Sequence, residues 1–295
     1  MTLNLIIAAP WGVWLSSDFR VSDIRGGRVA PRHDHWSPKH VTVTTTDGAF
    51  VVTYAGVAEV RATVPELGRG VIPKGDPRAP GRVMMIPVAE WLTWILYGEG
   101  RTIDEAVEHI ASEAGRVREL RTRHHAFNGV AIASGGVWAF QIANLDDRPK
   151  EDFAALAWAR RPPLKQYWVR AVHIDSGANA LGAGFGSGIA AVSKADARLM
   201  ARISGCKPRD PHDYMNILAG VNARAAAADR SQSVSPACHV LYLDPHARPQ
   251  DPGSQSEIYG NGQIPPDDFV PAILGNLFGI DLYSVTRDLL MRSSD

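Results

Sequence analysis

Residues 40–55 read HVTVTTTDGAFVVTYA, two β-branched and aromatic runs joined by Asp47-Gly48. An Asp-Gly pair between such runs is the strongest short-range signal for an antiparallel hairpin, because the tight turn wants residues that tolerate positive φ. A parallel pair would need a crossover of a dozen or more residues at this point, so antiparallel strands are required. The opening repeats the idea: residues 2–9 and 13–17 are short apolar runs split by Pro10-Trp11-Gly12. A third pair lies in 126–145, AFNGVAIASGGVWAFQIANL. Its charge-free length approaches a membrane span, but Asn128, Gly135-Gly136, Gln141 and Asn144 suit two strands around a Gly-Gly turn.

Between these pairs the pattern becomes helical. VAEWLTWILYGEG (88–100) spaces its apolar residues for one helix face, with Trp91 and Trp94 as core packing, and stops at Gly98 or Gly100. Thr102 opens a second helix over 102–120, with Glu105 three residues on completing a capping box. A helix is also expected from about Val57, once Gly56 ends the preceding strand. LGRGVIPKGDPRAPG (67–81) is Pro- and Gly-rich and reads as a loop or insertion, and 145–163 as surface. The last third predicts a strand over 169–175, a glycine-rich GAGFGSG at 182–188, helices over 189–203 and 211–228 with Asp210 as N-cap, and a closing strand CHVLYLD at 238–244. A polar tail over 245–263 and a short helix over 285–291, capped by Ser284, end the chain. No internal repeat is visible. Antiparallel strand pairs with helices grouped between them predict an α+β chain whose sheets carry helical layers.

Composition excludes several functions. Lys+Arg number 31 and Asp+Glu 31, so the chain lacks the basic excess that binds nucleic acid or an anionic membrane. With 45% apolar and 21% charged residues it is neither disordered nor a membrane protein in composition. The apolar N-terminus has no Lys or Arg ahead of it and is broken by Pro10 and Gly12, unlike a secretory signal. Cys206 and Cys238, with no C-x-x-C, fit neither a zinc ribbon nor a disulfide scaffold. They suit a reducing, cytoplasmic setting as small buried hydrophobes. His33-Asp34-His35 has the spacing of two metal ligands but no Cys nearby and no H-E-x-x-H, and reads as a solvated loop. His124-His125 reads as capping helix carbonyls. No metal or other cofactor is expected.

The residue with most chemical potential is Thr2. Methionine before a small residue is normally removed, which leaves Thr2 with a free α-amine. That amine has an ordinary pKa of about 8 and can serve as general base to the hydroxyl of the same residue.

TLNLIIAAPWGVWLSSDFRVSD (2–23) resembles the N-terminus of the proteasome-type N-terminal nucleophile hydrolases, which include the proteasome β subunits, the bacterial HslV protease and its relative Anbu. In that family an Asp lies sixteen residues beyond the N-terminal threonine, followed two residues later by Arg; Asp18 and Arg20 match. Lys39 stands before the second hairpin and Gly56 after it, as the family's lysine and glycine do. Gly186-Ser187-Gly188 looks like the family's Gly-Ser-Gly segment, and AADRS (227–231) like the end of its last core helix. The resemblance covers most of residues 2–244 and is weak between Pro65 and Leu120. It implies a four-layer αββα sandwich over 2–244, with an insertion near 66–86 and a C-terminal extension over 245–295. It also implies hydrolysis of a peptide or small amide through an acyl-enzyme on Thr2, in a homo-oligomer. Lys39, paired with Asp18, would acidify the hydroxyl and keep the amine neutral. The Gly56 N–H would stabilise the oxyanion. Ser187, Asp229 and Ser231 or Ser233 would orient the amine.

This chain departs from the family at two points. The loop before Lys39 is longer, so Lys39 is assigned by its place before the strand, with His33, His35 and His40 as alternatives. After Asp229 the chain reads SQSVSP where the family has a Ser-Gly-Gly-like turn, which leaves Ser231 and Ser233 both as candidates. Three other readings compete. Asp18 and Lys39 could form a surface ion pair worth at most about 1 kcal/mol. The chain could be a catalytically silent structural or binding subunit. The loop at Gly182 could bind a dinucleotide, although Ser187 replaces the third glycine of that motif.

Overall fold

The computed structural model describes residues 2–25, 28–63, 81–97, 100–133, 136–145, 164–246, 255–262, 275–277 and 280–281, with backbone alone over 22–36 and 275–281. The first hairpin is β1 (Asn4–Ala9) and β2 (Gly12–Asp18), followed by a ribbon of β3 (Arg20–Arg25) and β4 (Arg28–Trp36). His33-Asp34-His35 therefore lies on a strand rather than in a loop, and its side chains fall outside the described residues.

The second hairpin is β5 (His40–Thr44) and β6 (Gly48–Ala55). Its turn is stabilised differently from what Asp-Gly suggests. Thr45 N donates to Gly48 O at 2.8 Å, and Gly48 is not in the left-handed region. It is glycine because a Cβ there would lie 2.1 Å from the Ile132 carbonyl oxygen. Asp47 accepts from Thr45 Oγ1 and from Ile103 N, both at 2.9 Å, so the turn also anchors the start of a helix.

The helix expected from Val57 is absent. Gly56 turns the chain at φ 116°, and β7 (Glu59–Thr63) pairs antiparallel with β8 (Val83–Pro87), with Val60 opposite Ile86. The Pro/Gly-rich run between them lies largely outside the described residues. Then come α1 (Val88–Ile95), α2 (Ile103–Arg116) and α3 (Arg118–Arg121). Thr102 and Glu105 form the expected capping box, but Val117 adopts an extended backbone and divides the long helix predicted over 102–120. The hairpin over 126–145 is β9 (Ala126–Ala133) and β10 (Gly136–Ala143), and β11 (Trp168–Ile174) continues from it; 146–163 lie outside the described residues.

The glycine-rich segment is a strand, β12 (Leu181–Phe185), antiparallel to β1. A Cβ on Gly182 would meet the Met200 carbonyl oxygen at 2.5 Å, so glycine lets a helix backbone lie against the strand. That helix, α4 (Lys194–Ser204), starts later than expected. Residues 187–191 form a 3-10 turn first, and Ser193 then caps α4 by accepting from Asp196 N at 3.0 Å. Next is α5 (Pro211–Ala228), capped by Asp210, and β13 (Cys238–Leu243). β13 does not close the chain. β14 (Gln255–Tyr259) pairs with it, and β15 (Gly275–Leu277) runs parallel to β5 beside β16 (Ile280–Asp281). The helix expected over 285–291 falls outside the described residues.

Two mixed-order sheets result: β12-β1-β2-β13-β14 and β11-β10-β9-β6-β5-β15-β16, antiparallel except at β15. Side-chain alternation distributes the core. On β1, Leu5 and Ile7 pack with Met200 of α4 and Met215 and Leu218 of α5, while Ile6 and Ala8 face Val51, Val130 and Val137 of the other sheet. On β6, Val51 belongs to that shared layer, while Phe50 and Val52 pack with Trp91 and Leu92 of α1 and Ile110 of α2. Both faces of the central strands β1, β2, β6 and β9 are thus out of water, which is why these strands read as continuous apolar runs. No helix among the described residues is long and apolar enough to cross a membrane.

Candidate active site

Thr2 lies just ahead of β1 and is buried, at 5% exposure. Its carbonyl accepts from Gly188 N at 3.0 Å. A Cβ on Gly186 would come within 2.2 Å of that carbonyl oxygen, and Gly186 has φ 88°, so a glycine is demanded twice over. Ser187, between the two glycines, is half-buried and lines the same cavity as Thr2.

Asp18 ends β2 with no exposed surface, and four donors converge on its carboxylate. Leu3 N and Lys39 Nζ each donate to Oδ1 at 2.8 Å; Arg20 N and Ser235 N donate to Oδ2 at 3.1 and 3.2 Å. Asp18 N returns a bond to Leu3 O at 3.1 Å, fixing the strand end against the residue after Thr2. Lys39 sits at 1% exposure and also donates to Arg20 O at 2.6 Å. Burial pulls its pKa below the ordinary lysine value, against the opposing pull of the Asp18 charge and hydrogen bond. The pair is therefore a buried ion pair, not a surface one.

His40, one alternative for the lysine position, points elsewhere. Its Nδ1 lies 2.7 Å from Ser17 Oγ, and its ring centre lies 4.4 Å from that of His239, tilted by 40°. Burial, then the neighbouring His239, holds it well below the usual imidazole pKa.

Gly56 is exposed and lines the cavity beside Lys39. A Cβ at this position would lie 2.7 Å from the His124 carbonyl oxygen. His125, expected at a helix end, is instead buried under this turn, its ring 6.2 Å from that of Tyr54 and 4.5 Å from that of Phe127. Burial brings its pKa down to about 3, the nearby Val57 backbone opposing. Its place is core because the strand that begins at Ala126 needs a buried side chain there.

Asp229 caps the C-terminus of α5 and does not line the cavity. Ser231 N and Oγ donate to Oδ1 at 3.0 and 2.5 Å, and Ser233 N and Oγ and Val234 N donate to Oδ2 at 2.7, 2.7 and 2.9 Å. Burial alone would raise its pKa; these bonds outweigh burial and bring it to about 2. Both serine candidates thus hold Asp229, their hydroxyl oxygens 2.8 Å apart. Gln232 takes a left-handed φ of 51° in this turn. Arg20 Nη1 clasps the turn through Gln232 O at 2.7 Å and Val234 O at 3.4 Å. The Asp229 group is thereby tied to Asp18 and Arg20 through residues 232–235, one layer behind Thr2.

The cavity has a volume of about 1160 Å³. Thr2, Lys39, Gly56 and Ser187 line it together with Arg20 and Val21 and with residues of β7, β8, α1 and the α2–α3 turn. Sequence reasoning missed the contribution of these last elements. Trp91 and Trp94 are core residues as expected, yet also line the cavity, and Cys206, expected to be buried, is exposed. Among the described residues no group of three His, Cys, Asp or Glu side chains is arranged to hold a metal ion.

No family model and no curated protein matches the chain. Among solved structures it is similar to a mutant Anbu (Gly-1) from Hyphomicrobium sp. strain MC1, at 10% identity over 99% of this chain and 96% of that one, with a TM-score of 0.46. At that identity and TM-score the chemistry rests on the residues of this chain.

Proposed function

We propose that this chain is an N-terminal threonine hydrolase of amide bonds, built as a four-layer αββα sandwich of the proteasome-like type. The observation that carries the reading is the buried Lys39 ammonium, held between the Asp18 carboxylate and the Arg20 carbonyl in the wall that also presents Thr2, Gly56 and Ser187. A buried ion pair is costly to assemble and is weak evidence for stability, so its place beside a cavity favours a chemical use.

Removal of Met1 frees the Thr2 amine. Thr2 Oγ1 then attacks the substrate carbonyl carbon while its proton passes to the amine, and the carbonyl π pair moves onto oxygen. The Gly56 N–H receives that oxyanion. Collapse breaks the C–N bond, the ammonium of Thr2 protonates the departing amine, and an ester remains on Thr2. Water, deprotonated by the same amine, attacks the ester and releases the acid. Lys39 contributes positive charge that keeps the Thr2 amine neutral and lowers the cost of the alkoxide. The network around Asp229 holds the 232–235 turn against Asp18 and Arg20, a positioning role.

Intact-mass measurement with a β-lactone or epoxyketone probe tests the reading. The expected result is loss of Met1 and one adduct on wild type, with none on Thr2→Ala. A retained Met1, or an adduct that persists on Thr2→Ala, overturns it.

A further inference from the structure

The chain as a whole is electrically neutral, but its cavity is not: six cationic side chains and three carboxylates line it. Lys39 is paired with Asp18, Arg116 with Glu113, and Arg20 is spent on the carbonyls of Gln232 and Val234. Among the described residues the guanidinium groups of Arg61, Arg118 and Arg123 have no carboxylate partner. All three are exposed and line the cavity, so they stay charged at little cost and add positive potential to it. Exposed apolar side chains share this wall, Met85 standing directly opposite Arg61 across the β7–β8 pair. Val83 and Met85 on β8 are 61% and 48% exposed, and the cavity floor reaches Trp94. Exposed large apolar side chains beside a cavity are informative in a way that scattered ones are not.

A site with an apolar wall and a rim on which Arg61, Arg118 and Arg123 outnumber the remaining carboxylates, Glu59 and Glu119, matches one ligand chemistry. We propose that the cavity receives an anionic, hydrophobic acyl group: an amide whose acyl side carries an aliphatic or aromatic body against Met85 and Trp94, and a carboxylate that meets Arg118 and Arg123. Arginine suits this role because its fork donates two parallel bonds to a carboxylate. A volume of about 1160 Å³ accommodates a capped amino acid or short peptide of this kind. As a statement of substrate class this rests on the Thr2 reading, whereas the binding preference itself does not.

Binding is therefore measured on Thr2→Ala, by calorimetry, with three ligands that share one body: succinyl-, acetyl- and β-alanyl-phenylalanine amide, which are anionic, neutral and cationic at the cap. The succinyl ligand is expected to bind about ten-fold more tightly than the acetyl one, the gap closing in Arg118→Ala/Arg123→Ala and returning in Arg118→Lys/Arg123→Lys. Equal affinities, or tighter binding of the β-alanyl ligand, overturn the proposal. Turnover of the corresponding succinyl and acetyl aminomethylcoumarin amides by wild type separates the two claims. A succinyl preference in binding without turnover leaves the cavity assignment standing and removes Thr2 as nucleophile; turnover by Thr2 with no succinyl preference does the reverse.

Discussion

Lys39 Nζ reaches Asp18 Oδ1 at 2.8 Å with both side chains almost wholly out of water. Removing one partner strands the other charge in the interior, at a cost of about 3–5 kcal/mol. Asp18→Asn and Lys39→Met are each expected to lose stability on that scale in urea unfolding, while the double variant loses less than the sum of the two. Lys39→Met should also lower kcat/KM by about 100-fold or more on any amide that wild type cleaves. If Lys39→Met retains full activity, Lys39 has no part in the chemistry.

Gly56 combines a φ of 116° with a backbone carbonyl 2.7 Å from where a Cβ would stand. Gly56→Ala must strain the backbone and push against His124, which costs about 1–3 kcal/mol. The loss is expected as a lower Tm and, because the displaced N–H is the one assigned to the oxyanion, as a fall in kcat larger than any rise in KM. An Ala variant with an unchanged kcat removes Gly56 from that role.

What was legible in the chain was whatever is decided within a few residues. The capping box at Thr102 and Glu105 and the cap at Asp210 depend only on their own turn, and all were found. The hairpin at Asp47-Gly48 was found for an incomplete reason: Gly48 is required by the carbonyl of Ile132, which only the folded sheet brings near. The segment after Gly56 reads as helix in the sequence because its strand partner, β8, comes from beyond a proline-rich stretch and no local pattern announces it. Asp18 and Lys39 are legible only through the resemblance, by the sixteen-residue step from Thr2 and the place before the second hairpin; read singly they suit a surface ion pair. The clasp from Arg20 to Gln232 and Val234 spans 212 and 214 residues and could not be read from spacing. The arginine rim was hidden by the opposite cause, since exposed arginines on a helix end look like any solvated face.

Asp229 should contribute to stability in a pH-dependent way. Its pKa falls from an ordinary 3.8 to about 2 in the fold, so the unfolded chain binds more protons between those values. The contribution is complete above pH 3.8 and is lost as pH falls through about 2. Asp229→Asn is expected to be less stable than wild type at pH 7, with the gap unchanged down to about pH 4 and narrowing from there to pH 2 in denaturant titrations. A gap that stays constant over that range shows that the carboxylate charge is not what holds the turn.

His125 acts with the same sign over a higher pH window. Its ring is buried between Tyr54 and Phe127, and its pKa drops from 6.5 to about 3, so below pH 6.5 the unfolded chain takes up a proton that the folded chain refuses. Stability therefore falls as pH is lowered from 6.5 toward 3, with a slope approaching about 1.4 kcal/mol per pH unit from this one group. His125→Phe keeps a flat ring in the same aromatic cluster but has nothing to protonate. Between pH 6 and pH 4 its unfolding free energy should decline by less than that of wild type, by about 1 kcal/mol per unit. His40 and His239 remain in both proteins, so part of the slope persists in the variant. If the two slopes are the same, His125 is already protonated in the folded chain and the turn that carries Gly56 is open to water at its base.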